Sequence, residues 1–222
     1  GVGGDGMILQ AARKSAPLGK PVLGINSGSL GFLAEIDPEQ MLEAIEEILA
    51  NRYKIQARLL IQATVRRKNK TIGTFTALND AVIKNGATAR VIKLDLEINR
   101  QYVATYIGDG LIVSTPTGST AYSLAASGPI VYPDVPVMVV AAICPHTLTL
   151  RPLIVSAASE IKISVKSDHQ EVILTLDGQN DLPLEMGDTV LIKKAAHQLK
   201  FITVLDKSYY HVLRTKLKWG ER

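Results

Sequence analysis

Sulfur and aromatic rings are scarce in this 222-residue chain: one Cys, one Trp and three Phe stand within a 46% hydrophobic composition. A single cysteine, Cys144, cannot form an internal disulfide, so a disulfide-stapled scaffold is excluded and a reducing, cytoplasmic setting is expected. So few rings leave little for base stacking. Lys and Arg are also dispersed, except in "RRKNK" (residues 66–70), which reads as a solvated hairpin tip, so no nucleic-acid partner is expected. No apolar run reaches the ~18 residues of a membrane span, and the opening residues are not those of a signal peptide; no membrane partner is expected. What remains is ordinary globular composition with a net charge of +4, suited to a small anionic ligand and long enough for one large domain or two modest ones.

The chain opens with "GVGGDG", a Gly-x-Gly-x-x-Gly pattern of the kind that joins a first strand to its helix in dinucleotide-binding folds. Two features oppose a Rossmann dehydrogenase. The acid expected about 20 residues further on would fall near Asn26, where there is none. Asp5 also places a carboxylate where a pyrophosphate would rest, and like charges repel. Only Gly1 and Val2 precede the loop where a βα unit needs a strand, so the natural chain is expected to be longer at its N-terminus.

Residues 7–15 suit a short helix ended by Pro17 and Gly19, and "PVLGIN" (21–26) suits an apolar strand before the turn-rich "SGSLGFL". Asp37-Pro38-Glu39-Gln40 signals a helix start, with Met41, Leu42, Ile45, Ile48 and Leu49 as its apolar face. Beyond Tyr53 the period changes to two. Leu59, Ile61, Ala63 and Val65 alternate with more polar neighbours, and "VIKLDLEIN", "YVATYIG", "EIKISVKS", "EVILTLDG" and "DTVLIKKA" continue the series between turn residues. Helical spacing returns at Tyr209, Leu213 and Leu217. The expected fold class is therefore α/β plus β-rich. A Rossmann-like α/β domain, truncated at its start, takes residues 1–54 with 200–222, and an antiparallel β-sandwich-like domain takes 55–199.

Four stretches carry chemistry. "STPTGSTAYSLAASGP" (114–129) is hydroxyl, Gly or Pro at each of its first seven positions; Ser119 reads as an N-cap and residues 121–127 as a helix stopped by Gly128-Pro129. A helix start ringed by hydroxyls suits a phosphate or a nucleotide edge, though a well-capped loop would look the same. It is not a P-loop, because no Lys follows the glycines. "LNDAVI" sets Asn79 and Asp80 inside an apolar strand, where they would point to opposite faces, so at least one meets apolar surroundings or a ligand. "YIGDGL" sets Asp109 between two glycines, and "LDGQ" (176–179) reads locally as a turn.

Taken in this order, GGDG (Gly3, Gly4, Asp5, Gly6), the Asn79-Asp80 pair, "GDGLIVSTPTGSTAY" and "DGQ" closely resemble the bacterial NAD kinases. "GINSGSLGFL", "GPIVYPDVP" and "ICPHTLTLRPLIV" match the same family, so the likeness covers nearly the whole chain. GGDG alone is shared with the diacylglycerol, sphingosine and phosphofructokinases; the block 108–122 is far more specific. The resemblance implies phosphoryl transfer from ATP to NAD, giving NADP. The glycine loop would cradle the ATP phosphates, and Asp5 would be the general base or hydroxyl-orienting group. A divalent cation, Mg²⁺, would offset its charge beside the phosphates. The resemblance further places Asp5, Gly6, Asn79, Asp80, Arg90, Ile107, Asp109, Thr120, Ala121, Tyr122, Ser123, Leu124, Ala125 and Gln179 at NAD, Asp80 standing where many relatives have Glu. Asp109 would reach a ligand in a neighbouring subunit of a homodimer or homotetramer. Cys144 and His146 read as core residues. The rival readings are a lipid kinase of the same superfamily, which needs an apolar pocket, and a non-catalytic nucleotide sensor, which would not need the loop acid.

Overall fold

The computed structural model describes every residue except 29–30, 35, 87–89, 168–170, 206–207 and 220–222, so parts of "SGSLGFL" and of the final tail lie outside the described residues. The chain divides into two compact units, Gly1–Arg58 with His197–Arg222, and Leu59–Ala196. In chain order the helices are α1 (Asp5–Ser15), α2 (Met41–Leu49), α3 (Tyr122–Ala125) and α4 (Tyr209–Leu217). The strands are β1 (Lys54–Arg58), β2 (Ile61–Arg67), β3 (Lys70–Ala77), β4 (Asp80–Asn85), β5 (Ile92–Ile98), β6 (Gln101–Gly108) and β7 (Gly110–Ser114). They continue as β8 (Val137–Ile143), β9 (Leu153–Ser156), β10 (Ile161–Val165), β11 (Val172–Leu176), β12 (Asn180–Leu184), β13 (Thr189–Lys194) and β14 (Leu199–Thr203).

In the first unit, α1 begins two residues before its expected start. Gly4 holds an extended N-cap conformation, which puts Asp5 in the first turn against the positive end of the helix dipole, with Arg13 and Lys14 in the last turn. "PVLGIN" is not a continuous strand. It makes single parallel bridges, Val22 to Phe201 and Ile25 to both Val2 and Ile36. Gly24 lies there with the Leu33 carbonyl where its Cβ would stand. The buried face of α2 also differs from expectation. Ala44 packs with Ile25, Ile36 and Val204, flanked by Met41 and Ile48, while Leu42 and Leu49 are 70% and 78% exposed and Ile45 is exposed as well. A small residue lets the helix approach closely, so the stripe 41–44–48 turns inward. β1 pairs antiparallel with β14, and α4 buries Val212 and Leu213.

The second unit is a sandwich of two six-stranded antiparallel sheets, ordered β3-β2-β13-β10-β5-β6 and β12-β11-β4-β7-β8-β9. One apolar cluster fills the space between them, with Ile61, Ala63, Val65, Leu94 and Ile163 from the first sheet and Ala81, Ile83, Leu111, Val113 and Leu174 from the second. Period-two alternation puts these residues on the inner faces, while the outer face of the second sheet keeps a small apolar cluster of its own, Val82, Ile112 and Ala141. The tight hairpins at Lys68-Asn69, Asn99-Arg100 and Asp177-Gly178 hold positive φ at both central residues, which matches the twist of the strands they join. The tip of "RRKNK" is accordingly Lys68-Asn69. Arg67 is not part of a solvated tip: its Nη2 donates to the buried Asp188 at 2.7 Å and its Nη1 to Glu185 at 2.6 Å. No helix among the described residues is long and apolar enough to cross a membrane.

Candidate functional site

In the first unit the site is built around Asp5. Gly3, at φ +151°, turns the chain into α1 and donates to the Ile25 carbonyl at 2.9 Å. From the first turn of that helix the Asp5 carboxylate accepts three backbone N–H bonds, from Phe32 at 2.9 Å, Leu33 at 3.0 Å and Ala34 at 3.2 Å. Gly31 backs directly onto Oδ1, where any Cβ would overlap the oxygen. Gly6 follows Asp5 in the helix, and Gly4 has open space where its Cβ would stand. The acid of the glycine loop is thus already held by the backbone of another loop, which nothing in the local sequence announces.

The second unit holds a matching arrangement. Asp177, 6% exposed at the β11–β12 turn, accepts from the N–H of Leu78 at 3.1 Å, Asn79 at 2.7 Å and Asp80 at 3.3 Å. Its own N–H donates to the Asp80 carbonyl at 3.0 Å. Asn79 is therefore not inside a strand; it lies in the bend that Asp177 caps, and β4 begins at Asp80. Asp80 is buried, and burial, aided by the negative charge of Asp177, raises its carboxyl from 3.8 to about 7.

Beside Asp80 opens a cleft of about 200 Å³ lined by Asn79, Asp80, Val82, Lys84, Ala121, Tyr122, Thr175, Asp177 and Gly178. It lies on the outer face of the second sheet, opposite the sandwich core. Sequence reading missed Val82, Lys84 and Thr175, yet alternation from Asp80 places residues 82 and 84 on its face. Thr175, paired with Val82, follows only from register. Asp177 stood in a quoted motif without a role.

The "STPTGSTAY" block is chiefly scaffold. Ser114 and Thr115 donate to the carbonyls of Asn79 and Leu78, and Thr115 Oγ1 accepts from Gly118 N–H at 3.1 Å. Ser119 is not an N-cap: its Oγ donates to Pro116 O at 2.7 Å and accepts from Val131 N–H at 3.0 Å. Buried carbonyls must be satisfied, and these hydroxyls do so. The helix is a single turn, Tyr122–Ala125, rather than the expected 121–127, too short to be an anion site of its own. Its start delivers Ala121 and Tyr122 to the cleft. Burial, followed by the charges of Cys144, Asp109 and Asp80, pushes the Tyr122 phenol above its usual range.

The other expected residues are more scattered. Thr120 and Leu124 are half-buried, Ser123 is fully buried, and Ala125 lines a different cleft together with Cys144 and Arg151. Arg90 is exposed, Ile107 is exposed on the edge strand β6, and Gln179 belongs to the β11–β12 turn. None of these lines the cleft beside Asp80. Asp109 sits where the chain crosses from one sheet to the other; Asn85 Nδ2 donates to it at 3.4 Å, and its bond with the Cys144 thiol raises the thiol's pKa. Cys144 and His146 are not core residues, because both are exposed. Cys144 takes a left-handed backbone conformation, φ +44°, just after β8 ends.

The comparisons with known proteins fall on both units. Residues 1–53 match the ATP-NAD kinase N-terminal domain and residues 78–204 the ATP-NAD kinase C-terminal domain. This chain belongs to the ATP-NAD kinase family. It is 45% identical to an NAD kinase of Geobacter metallireducens over 100% of the chain and 78% of that protein. It is 47% identical to one of Moorella thermoacetica over 99% of the chain and 70% of that protein. Among solved structures it is similar to a yeast NADH kinase complexed with NADH, with a TM-score of 0.92 and 30% identity over 100% of this chain and 65% of that one. It is also similar to an NAD kinase from Archaeoglobus fulgidus in complex with ATP, with a TM-score of 0.80 and 25% identity over 98% of this chain and 81% of that one. As in other ATP-NAD kinases, an α/β unit precedes a β-sandwich, and the expected fold class holds.

Proposed function

We propose that this ATP-NAD kinase makes NADP by using Asp5 on the 2′-hydroxyl of the adenosine ribose of NAD, with ATP as donor. The observation that supports this role is the hydrogen bonding of the carboxylate. Two carboxylate oxygens offer about four lone-pair directions. The amides of residues 32–34 take three, leaving one for a hydroxyl, and they fix the oxygens before substrate arrives. In the step, the ribose oxygen attacks the γ-phosphorus while its proton passes to Asp5. The bond from that phosphorus to the β,γ-bridging oxygen breaks, leaving ADP and NADP. The open face of Gly4 gives phosphate oxygens access to the backbone.

No three His, Cys, Asp or Glu side chains gather into a metal cage among the described residues. Mg²⁺ would therefore arrive on the ATP phosphates, needing few protein ligands and offsetting their repulsion of Asp5. We assign the ATP phosphates to the glycine loop of residues 3–6, with Asp5 and Gly6 also meeting NAD, and the remaining NAD contacts to the unit 59–196. In the latter, Asn79 and Asp80 meet the ribose, and Ala121 and Tyr122 meet the adenine. A cleft of about 200 Å³ accommodates only part of a dinucleotide, which is consistent with further contacts from Arg90, Ile107, Asp109 and Gln179 in a cytoplasmic homodimer or homotetramer.

The test is incubation of the purified chain with ATP, Mg²⁺ and NAD, with NADP read by an NADP-specific dehydrogenase. ATP-dependent NADP is the expected result. Phosphorylation of diacylglycerol or sphingosine without NADP would assign the chain to the lipid-kinase branch instead.

A further inference from the structure

The geometry points to Asp177 as a positioning residue for NAD recognition, one that fixes the Leu78–Asp80 backbone and keeps a second negative charge against Asp80. Its carboxylate takes three successive N–H groups, and its own N–H returns a bond to Asp80. Those four bonds fix the Leu78–Asp80 backbone from the far end of a different hairpin. The alternative for those amides, burial without a partner, is costly, so the bend cannot relax while Asp177 is in place. The inference rests on the placement of NAD against Asp80 proposed above.

The groups that face Asp80 come from every element around it. Asp177 approaches from the β11–β12 turn and Lys84 from β4 itself. Thr175 stands on β11, its hydroxyl donating to Asp181 of β12 at 2.7 Å. Tyr122 comes from α3, with Asp109 and Cys144 near it. Burial is the larger reason that Asp80 titrates near 7, and the charge of Asp177 is the second. The ionised form of Asp80 is the stronger acceptor for ribose hydroxyls, since protonation turns one of its oxygens into a donor, so NAD affinity should improve as pH rises through that region. Removing the Asp177 charge favours ionisation of Asp80, and the improvement should move to lower pH.

The experiment uses the full chain, wild type and Asp177→Asn, with two readouts: the pH profile of KM for NAD and the carbon-13 titration of the Asp80 carboxyl. The expected result is a downward displacement of both midpoints together in Asp177→Asn, with kcat at saturating NAD less affected than KM. An Asp80 midpoint that stays in place or rises in a folded variant overturns the proposal and leaves Asp177 a mere cap. A lowered Asp80 midpoint with an unmoved KM profile instead overturns the placement of NAD while supporting the carboxylate pairing. Should the variant not fold, hydrogen exchange in the wild-type protein decides. Strong protection of the Leu78, Asn79 and Asp80 amides is expected, and exchange as fast as in the exposed loop around Leu148 overturns it.

Discussion

Asp5 and Asp177 are the same device in two settings. Each carboxylate accepts three successive backbone amides, Phe32–Leu33–Ala34 in the α/β unit and Leu78–Asn79–Asp80 in the sandwich. Asp5 is half-buried in the first turn of a helix beside Gly4, which leaves open space. Asp177 is buried in a hairpin turn with a second carboxylate against it. The difference teaches what the cradle is for. On the proposed reading, the cradle with an accessible lone pair prepares a reactive oxygen, and the cradle with buried oxygens shapes the backbone that meets the ligand.

The largest effect should separate the two. Asp5→Asn keeps the size but loses the basic oxygen, so kcat should fall about 10²–10⁴-fold while NAD and ATP still bind. Steady-state kinetics with calorimetry of both nucleotides measures this, and an active variant would reduce Asp5 to a loop anchor like Asp177.

Next comes Asp80, whose raised carboxyl makes ionisation a cost to the folded state. That cost is absent below 3.8, grows as pH rises, and is complete above about 7. Asp80→Asn should therefore stabilise the chain above pH 7, by up to roughly 4 kcal/mol, and give no gain at pH 3, even as it weakens NAD binding. Urea unfolding at several pH values reads this, and a pH-independent difference would contradict the burial argument.

A smaller loss is expected at Gly31, where a Cβ would strike the Asp5 oxygen. Gly31→Ala should displace the carboxylate and lower kcat by roughly 10²-fold, the order reported for a misplacement of about 1 Å. A kcat/KM split that instead spares kcat would mean that the Phe32–Ala34 cradle does not prepare Asp5.

Smallest is Tyr122→Ala, which leaves both cradles intact and removes a ring from the cleft. NAD binding should weaken by roughly 1–3 kcal/mol, as for the loss of a stacked base. Unchanged affinity by calorimetry would place the adenine elsewhere.

Much of this was legible from the chain alone. The alternation of residues 59–65 predicts an inward face, and Leu59, Ile61, Ala63 and Val65 are all buried. The glycine loop, the Asn79-Asp80 pair and the 108–122 block mark the family in the sequence itself. The hydroxyls of 114–120 were harder to read, because composition cannot say whether Ser119 points at a ligand or at Val131. On α2, Met41 and Ile48 of the expected face do pack inward, whereas packing selects Ala44 over Leu42, Ile45 and Leu49.

By itself the sequence determined the alternating strands of the sandwich and their inward faces, because the 2.0 period follows from backbone geometry that each residue shares with its near neighbours. Tertiary structure alone decided which amides reach Asp5, 27 to 29 residues away, and which reach Asp177, 97 to 99 residues away. Backbone N–H groups are the same at every position, so no residue type signals which of them a distant carboxylate will hold. That choice is made only when the packed core brings the two segments together.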